Sequence, residues 1–174
     1  MTGVDVTLRL TAAALTGAVL GVNRKLRGKA AGLRTHSLVA LGSALAMIAG
    51  ELVAGSDRGA VTRVIQGIIA GIGFLGAGAI IKQGAATAVR GLTTAATIWL
   101  AASVGVACGA GLYQATLVAL GLALLVLIIG GPIEGLMRTV LGTADEERER
   151  EQEHGRERDR DRRAPFNTSD SPPD

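Results

Sequence analysis

The chain has 174 residues, of which 48% are hydrophobic, only 2% are aromatic and 25 are glycine. Soluble cores of this size normally use larger aromatic side chains, whereas helices in lipid associate through small residues that let backbones approach, so the composition argues against a soluble globule. Lys and Arg number 18 against 15 Asp and Glu, but the cations lie between apolar spans or mixed with acids in a tail; charge here reads as a topological signal and not as a nucleic-acid surface.

The first apolar span runs from about Val6 to Val22. The N-terminus, MTGVDVTLRL, lacks the basic n-region and small-residue cleavage site of a removed leader, so this span is expected to stay as a membrane helix. The loop NRKLRGKAAGLRTH then carries Arg24, Lys25, Arg27, Lys29 and Arg34. A second span, Ser37 to Ala54, opens with Thr35 as its expected cap, because a hydroxyl accepts from the free amides of a helix start.

The third span, Val64 to Ile81, contains GIGFLG at 71 to 76. Those letters fit the G-x-G-x-x-G spacing of a dinucleotide loop, which needs a strand before it, a helix opening at it and an acid about 20 residues later. None of these is evident. No charge occurs between Arg63 and Lys82, and 18 residues at helical rise span roughly 27 Å, close to a bilayer's hydrocarbon thickness. The glycines therefore read as packing surfaces: Gly67, Gly71 and Gly78 share one face, and Gly73 and Gly76 open another. Two such faces place this helix near the centre of the bundle.

Leu92 to Ala110 is the fourth span, with Thr93 as its expected cap, and Leu112 to Ile129 the fifth, ended by Gly130, Gly131 and Pro132. The lone Cys108 lies in an apolar run and excludes a disulfide framework or a cysteine metal cluster. From Thr143 the sequence becomes a mixed-sign polyampholyte ending in Pro, Ser and Asp, expected to be disordered. The organisation is thus an all-α transmembrane domain of about five helices, 1–142, with a glycine-rich central third helix, and a charged cytoplasmic tail, 143–174. Asn167-Thr168-Ser169 matches a glycosylation acceptor, but a cytoplasmic bacterial tail is not modified there.

Cations concentrate in the first loop and, as Lys82 and Arg90, in the third, while the fourth loop has none. Five spans then put the N-terminus outside and the C-terminus in the cytoplasm of a multi-pass protein. The second and third spans form a hairpin turning near Asp57, with Glu51 and Arg63 at similar depth. Together with Arg9, these residues are expected to form a polar cluster of Arg9, Glu51, Asp57, Arg63 and Gln66 in the outer half of the membrane, since ionisable groups inside spans are costly and raise a functional question. His36 has no second metal ligand at suitable spacing, His154 being in the tail. No nucleophile set, paired carboxylates or phosphate loop with lysine is present, so neither enzymatic activity nor a cofactor is expected.

Three stretches together, AGLRTHSLVALGSAL at 31–45, RVIQGIIAGIGFLGAGAII at 63–81 and VRGLTTAATIWLAASVGVACGAG at 89–111, resemble the MgtC/SapB family of bacterial inner-membrane proteins. The residues carrying the resemblance are Arg34, Thr35 and His36; Arg63; Gly71, Gly73, Gly76 and Gly78; and Gly91, Thr93 and Thr94 with Trp99. The resemblance implies about five hydrophobic helices and a role in magnesium homeostasis, stress adaptation and, in some members, virulence inside macrophages. It also implies action on other membrane proteins, including the F-type ATP synthase. Many relatives carry an acidic-basic-acidic triplet where this chain has Asn23, Arg24 and Lys25, and by the resemblance a short form is expected, without the soluble C-terminal domain of virulence-type members.

The expected function is a non-enzymatic modulator that binds a partner in the bilayer, alone or as a homo-oligomer, in low magnesium or acid stress. The alternative is a carrier or channel for magnesium or another cation, which needs oxygen ligands along a route.

Overall fold

The computed structural model describes residues 1–82, 89–133 and 135–137. The tail expected from residue 143, with His154 and the Asn167 acceptor, lies outside them. Five helices are long and apolar enough to cross a membrane: α1 Gly3–Leu26, α2 Leu33–Ala54, α3 Arg58–Ala79, α4 Leu92–Gly109 and α5 Tyr113–Met137. Between α3 and α4 a two-residue ladder pairs β1, Ile81–Lys82, with β2, Val89–Arg90. Two compact units are distinguished, Met1–Val126 and Leu127–Asp174. The first holds α1 to α4 and the beginning of α5; the described part of the second is the end of α5.

Four of the five helices begin or end beyond their apolar stretches, and α4 keeps within its own. The start of α1 is capped by Thr2, whose hydroxyl accepts from the Asp5 amide, and that of α3 by Asp57, which accepts from the Ala60 amide. The caps expected at Thr35 and Thr93 are not formed. Instead α2 opens at Gly32 and α4 at Gly91, neither with a side-chain bond. Gly91 is left-handed at φ +97°, and a β-carbon there would strike the Ala79 carbonyl. The end expected at Gly130–Pro132 is not an end, because α5 continues to Met137. Among apolar surroundings, keeping the remaining helical hydrogen bonds costs less than exposing free backbone groups.

The core lies where α2 meets α1 and α4. Ala13, Ala40, Ala44, Val104 and Cys108 form one buried cluster; Ala31, Ile72, Ile98 and Ala102 form a second toward α3. Glycine makes both approaches to α2. On α1, a β-carbon at Gly21 would sit 2.6 Å from Leu33 Cα, and one at Gly17 2.9 Å from Ser37 Cα. On α4, Gly105 lies on the Ala40 backbone and Gly109 on Ala44 and Met47. Each pair is a G-x-x-x-G, four residues apart on one face, which is how two backbones come into contact in lipid.

The third helix is consequently not the central one. Half of the α4 span is buried, against 6% of that of α3. A β-carbon added at Gly67, Gly71, Gly73 or Gly78 would meet nothing within 4 Å, and of the five glycines from Gly67 to Gly78 only Gly76 faces a neighbour, Ala95. The small faces of α3 were the visible ones in sequence, but those of α1 and α4 are the ones used.

Candidate functional site

At the end of the bundle where α1 and α3 begin and α2 and α4 finish, the expected polar cluster divides in two. Arg9 donates through Nη1 to Glu51 Oε2 at 3.0 Å and to the Gly109 carbonyl at 2.6 Å, and through Nε to Asp5 Oδ1 at 3.2 Å. One guanidinium thus ties α1 to α2 and to the last turn of α4, with Gly111 leaving room beside it. Arg63 does not reach Glu51. It pairs with Asp57 at the start of its own helix, 3.4 Å away and largely exposed, and Gln66 is also exposed. Sequence depth brought Glu51 and Arg63 to one level, but helical phase turned them apart; Asp5, one turn before Arg9, was the missed partner.

The opposite end, where α1 finishes and α2 and α4 begin, carries a different arrangement. Arg24 is 3% exposed and His36 fully buried. Arg24 Nη2 donates to Thr94 Oγ1 at 3.1 Å, and His36 Nδ1 is 2.9 Å from the Gly32 carbonyl. Arg24 Nε, His36 Nε2 and Asn23 Oδ1 are buried without a partner. Of the motif residues, His36 and Thr94 are therefore interior, whereas Arg34, Thr35, Thr93 and Trp99 are exposed. Arg24 was read as a loop cation; the missed signal was its position three residues after Gly21 and seven after Gly17, on the face that packs against α2.

Two concavities flank this framework. A groove of about 460 Å³ runs between α2 and α3, floored by Gly42, Gly67 and Gly71 and edged by Leu38, Ile72 and Leu75. A cavity of about 490 Å³ lies between the starts of α2 and α4 and the end of α3, and is lined by Thr35, Thr94 and otherwise apolar residues such as Phe74 and Ile98. Among the described residues no group of three His, Cys, Asp or Glu could hold a metal ion. Cys108 is buried, its sulfur 3.8 Å from the hydroxyls of both Thr16 and Thr116.

Comparison with known proteins gives this arrangement relatives. Residues 10–136 match the MgtC family, a range that holds Arg24, His36, Thr94 and the α3 glycines. The chain is 50% identical over 110 residues to Protein MgtC of Brucella abortus, covering 63% of this chain and 44% of that protein. It is 45% identical over 112 residues to Protein MgtC of Salmonella typhimurium, 64% and 46% respectively. To Protein SrpB of Synechococcus elongatus it is 44% identical over 129 residues, 68% and 71% respectively. The matched region thus spans under half of the two MgtC proteins and about seven tenths of SrpB. No solved structure matches it.

Proposed function

The chain belongs to the MgtC family, and from that premise we propose that this multi-pass bacterial membrane protein is a non-enzymatic modulator, which binds a helix of another membrane protein during adaptation to low magnesium or acid stress. The observation that carries this reading is the open groove between α2 and α3. In lipid, helix association comes from close packing on small residues and not from hydrophobic burial. Gly17, Gly21, Gly105 and Gly109 are already packed on backbone within the chain, whereas a β-carbon at Gly42, Gly67 or Gly71 would meet nothing within 4 Å. A groove with a glycine floor accepts the side-chain ridge of a passing transmembrane helix.

The cation distribution supports a placement in the inner membrane with the N-terminus outside and the Arg24 end cytoplasmic. An F-type ATP synthase, whose membrane sector is built of helices, is the first partner to test. The carrier reading has less support. Asp5, Glu51 and Asp57, the described carboxylates, are each bonded to arginine at a single end, and a magnesium route needs oxygen ligands along its length.

The test is crosslinking in native membranes followed by purification through the full chain. A defined membrane complex should copurify with the wild type and be lost in both Gly71→Leu and Gly42→Leu, which fill the groove. Capture of a second copy alone would replace the heterologous partner by self-association. Saturable magnesium flux into proteoliposomes of the purified protein would overturn the modulator reading in favour of a carrier.

A further inference from the structure

Among the described residues the buried guanidinium of Arg24 has no counter-charge. Every carboxylate among the described residues, Asp5, Glu51 and Asp57, belongs to the other end of the bundle, and Arg24 is bonded only to a neutral hydroxyl while its Nε has no partner. A buried charge without a partner is costly, and retaining one calls for an opposite charge from elsewhere. Two further sources of positive potential converge here. Both α2 and α4 start without a side-chain cap and without an acid in the first turn, leaving their amides and the positive ends of their dipoles free to meet an anion.

The cavity of about 490 Å³ lies between these two starts, with Thr35 and Thr94, the third residue of each helix, in its wall. Thr94 is the link. It lines the cavity and its oxygen accepts from Arg24, which leaves the hydroxyl proton to donate elsewhere, so the guanidinium polarises a donor in the cavity wall. The remaining lining is apolar, including Phe74, Leu75 and Ile98. Because α2 and α4 begin here, the cavity sits at the level where spans meet lipid headgroups.

We propose that this cavity is a binding site for one anionic phospholipid, its phosphate held by Thr94 and the first turns of α2 and α4 in front of Arg24, and its chain lying along the end of α3. The apolar share of the lining selects a lipid over free phosphate. Lys25, Arg27, Lys29, Arg34 and Arg90 surround the same end, a pattern that favours the anionic lipids of a cytoplasmic leaflet. The site does not depend on the partner groove: of the residues lining the two they share only Leu75, and the ligand is of another class.

The full chain, purified in a nonionic detergent, is titrated with phosphatidylglycerol, phosphatidylcholine or inorganic phosphate while its thermal midpoint is followed, and retained lipid is counted by native mass spectrometry. Phosphatidylglycerol should raise the midpoint and be retained one per chain, with little effect of phosphatidylcholine. Thr94→Val should weaken the phosphatidylglycerol effect about tenfold, the scale of one charge-assisted hydrogen bond, whereas Thr62→Val at the other end should not. Arg24→Gln should abolish it; should that variant fail to fold, Thr94→Val decides. Equal effects of the two lipids, or an undiminished effect in Thr94→Val, would overturn the site. The same rise with millimolar inorganic phosphate would overturn the lipid and leave a free-anion site.

Discussion

The third and fourth helices both carry glycine, six residues on α3 and two on α4, and they use it in opposite ways. On α4, Gly105 and Gly109 are pressed onto the backbone of α2 at Ala40 and Ala44; on α3, Gly67, Gly71, Gly73 and Gly78 face open space. Since lipid gives no hydrophobic reward for helix contact, a glycine contributes to association only where a backbone lies opposite it. The same residue is therefore structure on one helix and available surface on the other.

The comparison breaks most sharply at Gly105. A side chain there has to displace the Ala40 backbone, so Gly105→Leu should cost more than about 4 kcal/mol, the range of severe overpacking, and appear as loss of folded protein in size-exclusion profiles. Gly71→Leu should leave folding intact. A folded Gly105→Leu protein with an unchanged thermal midpoint would dissolve the distinction between the two helices.

Arg9 gives the next largest effect, because it fastens the end of α4 that the glycines bring close. Arg9→Met removes the bonds to Glu51, Asp5 and the Gly109 carbonyl and leaves a partly buried carboxylate unpaired, a loss of about 2 kcal/mol. A thermal-unfolding series of Arg9→Met, Glu51→Gln and the double variant checks it: the double should cost less than the two singles added together.

Much of this was legible in sequence. The five spans follow from run length, and the helical setting of GIGFLG from its missing loop context; the expected polar cluster is found only as two separate pairs, Arg9 with Glu51 and Arg63 with Asp57. The packing glycines were not found, because GAVLG at 17–21 and GVACG at 105–109 are short and unremarkable beside the dense run on α3. Density of glycine drew the reading to α3; what decides use is which backbone lies opposite, a tertiary property. The burial of Arg24 escaped for a related reason. It was assigned to a loop by its charge, yet α1 continues through it to Leu26, and helical phase carries it inward with Gly17 and Gly21. Glu51 and Arg63 show the converse, since equal depth in two spans does not make a contact unless the phases also agree.

On α3 itself, Gly71→Ala should be neutral or stabilise the isolated protein, by up to about 1 kcal/mol, because alanine is the better helix former and a β-carbon at this position meets nothing. Thermal unfolding of the purified variant reads this directly. Marked destabilisation would mean that α3 is packed against something in the purified state, with self-association the first explanation to examine by crosslinking.

The smallest effect is expected at Arg63. Its bond to Asp57 is long, at 3.4 Å, and both side chains are mostly exposed, at 69% and 59%, so solvent and ions screen it. Exposed pairs of this kind contribute at most about 1 kcal/mol and often nothing measurable. Asp57 keeps its separate bond to the Ala60 amide without Arg63, so the start of α3 stays capped. Arg63→Ala should therefore shift the thermal midpoint by no more than a degree or two, while Asp57→Ala, which removes the cap as well, should cost about 1 kcal/mol. If Arg63→Ala proved as damaging as Arg9→Met, the two arginines would belong to one network after all, and α3 would be tied to the bundle by charge where its glycines leave it free.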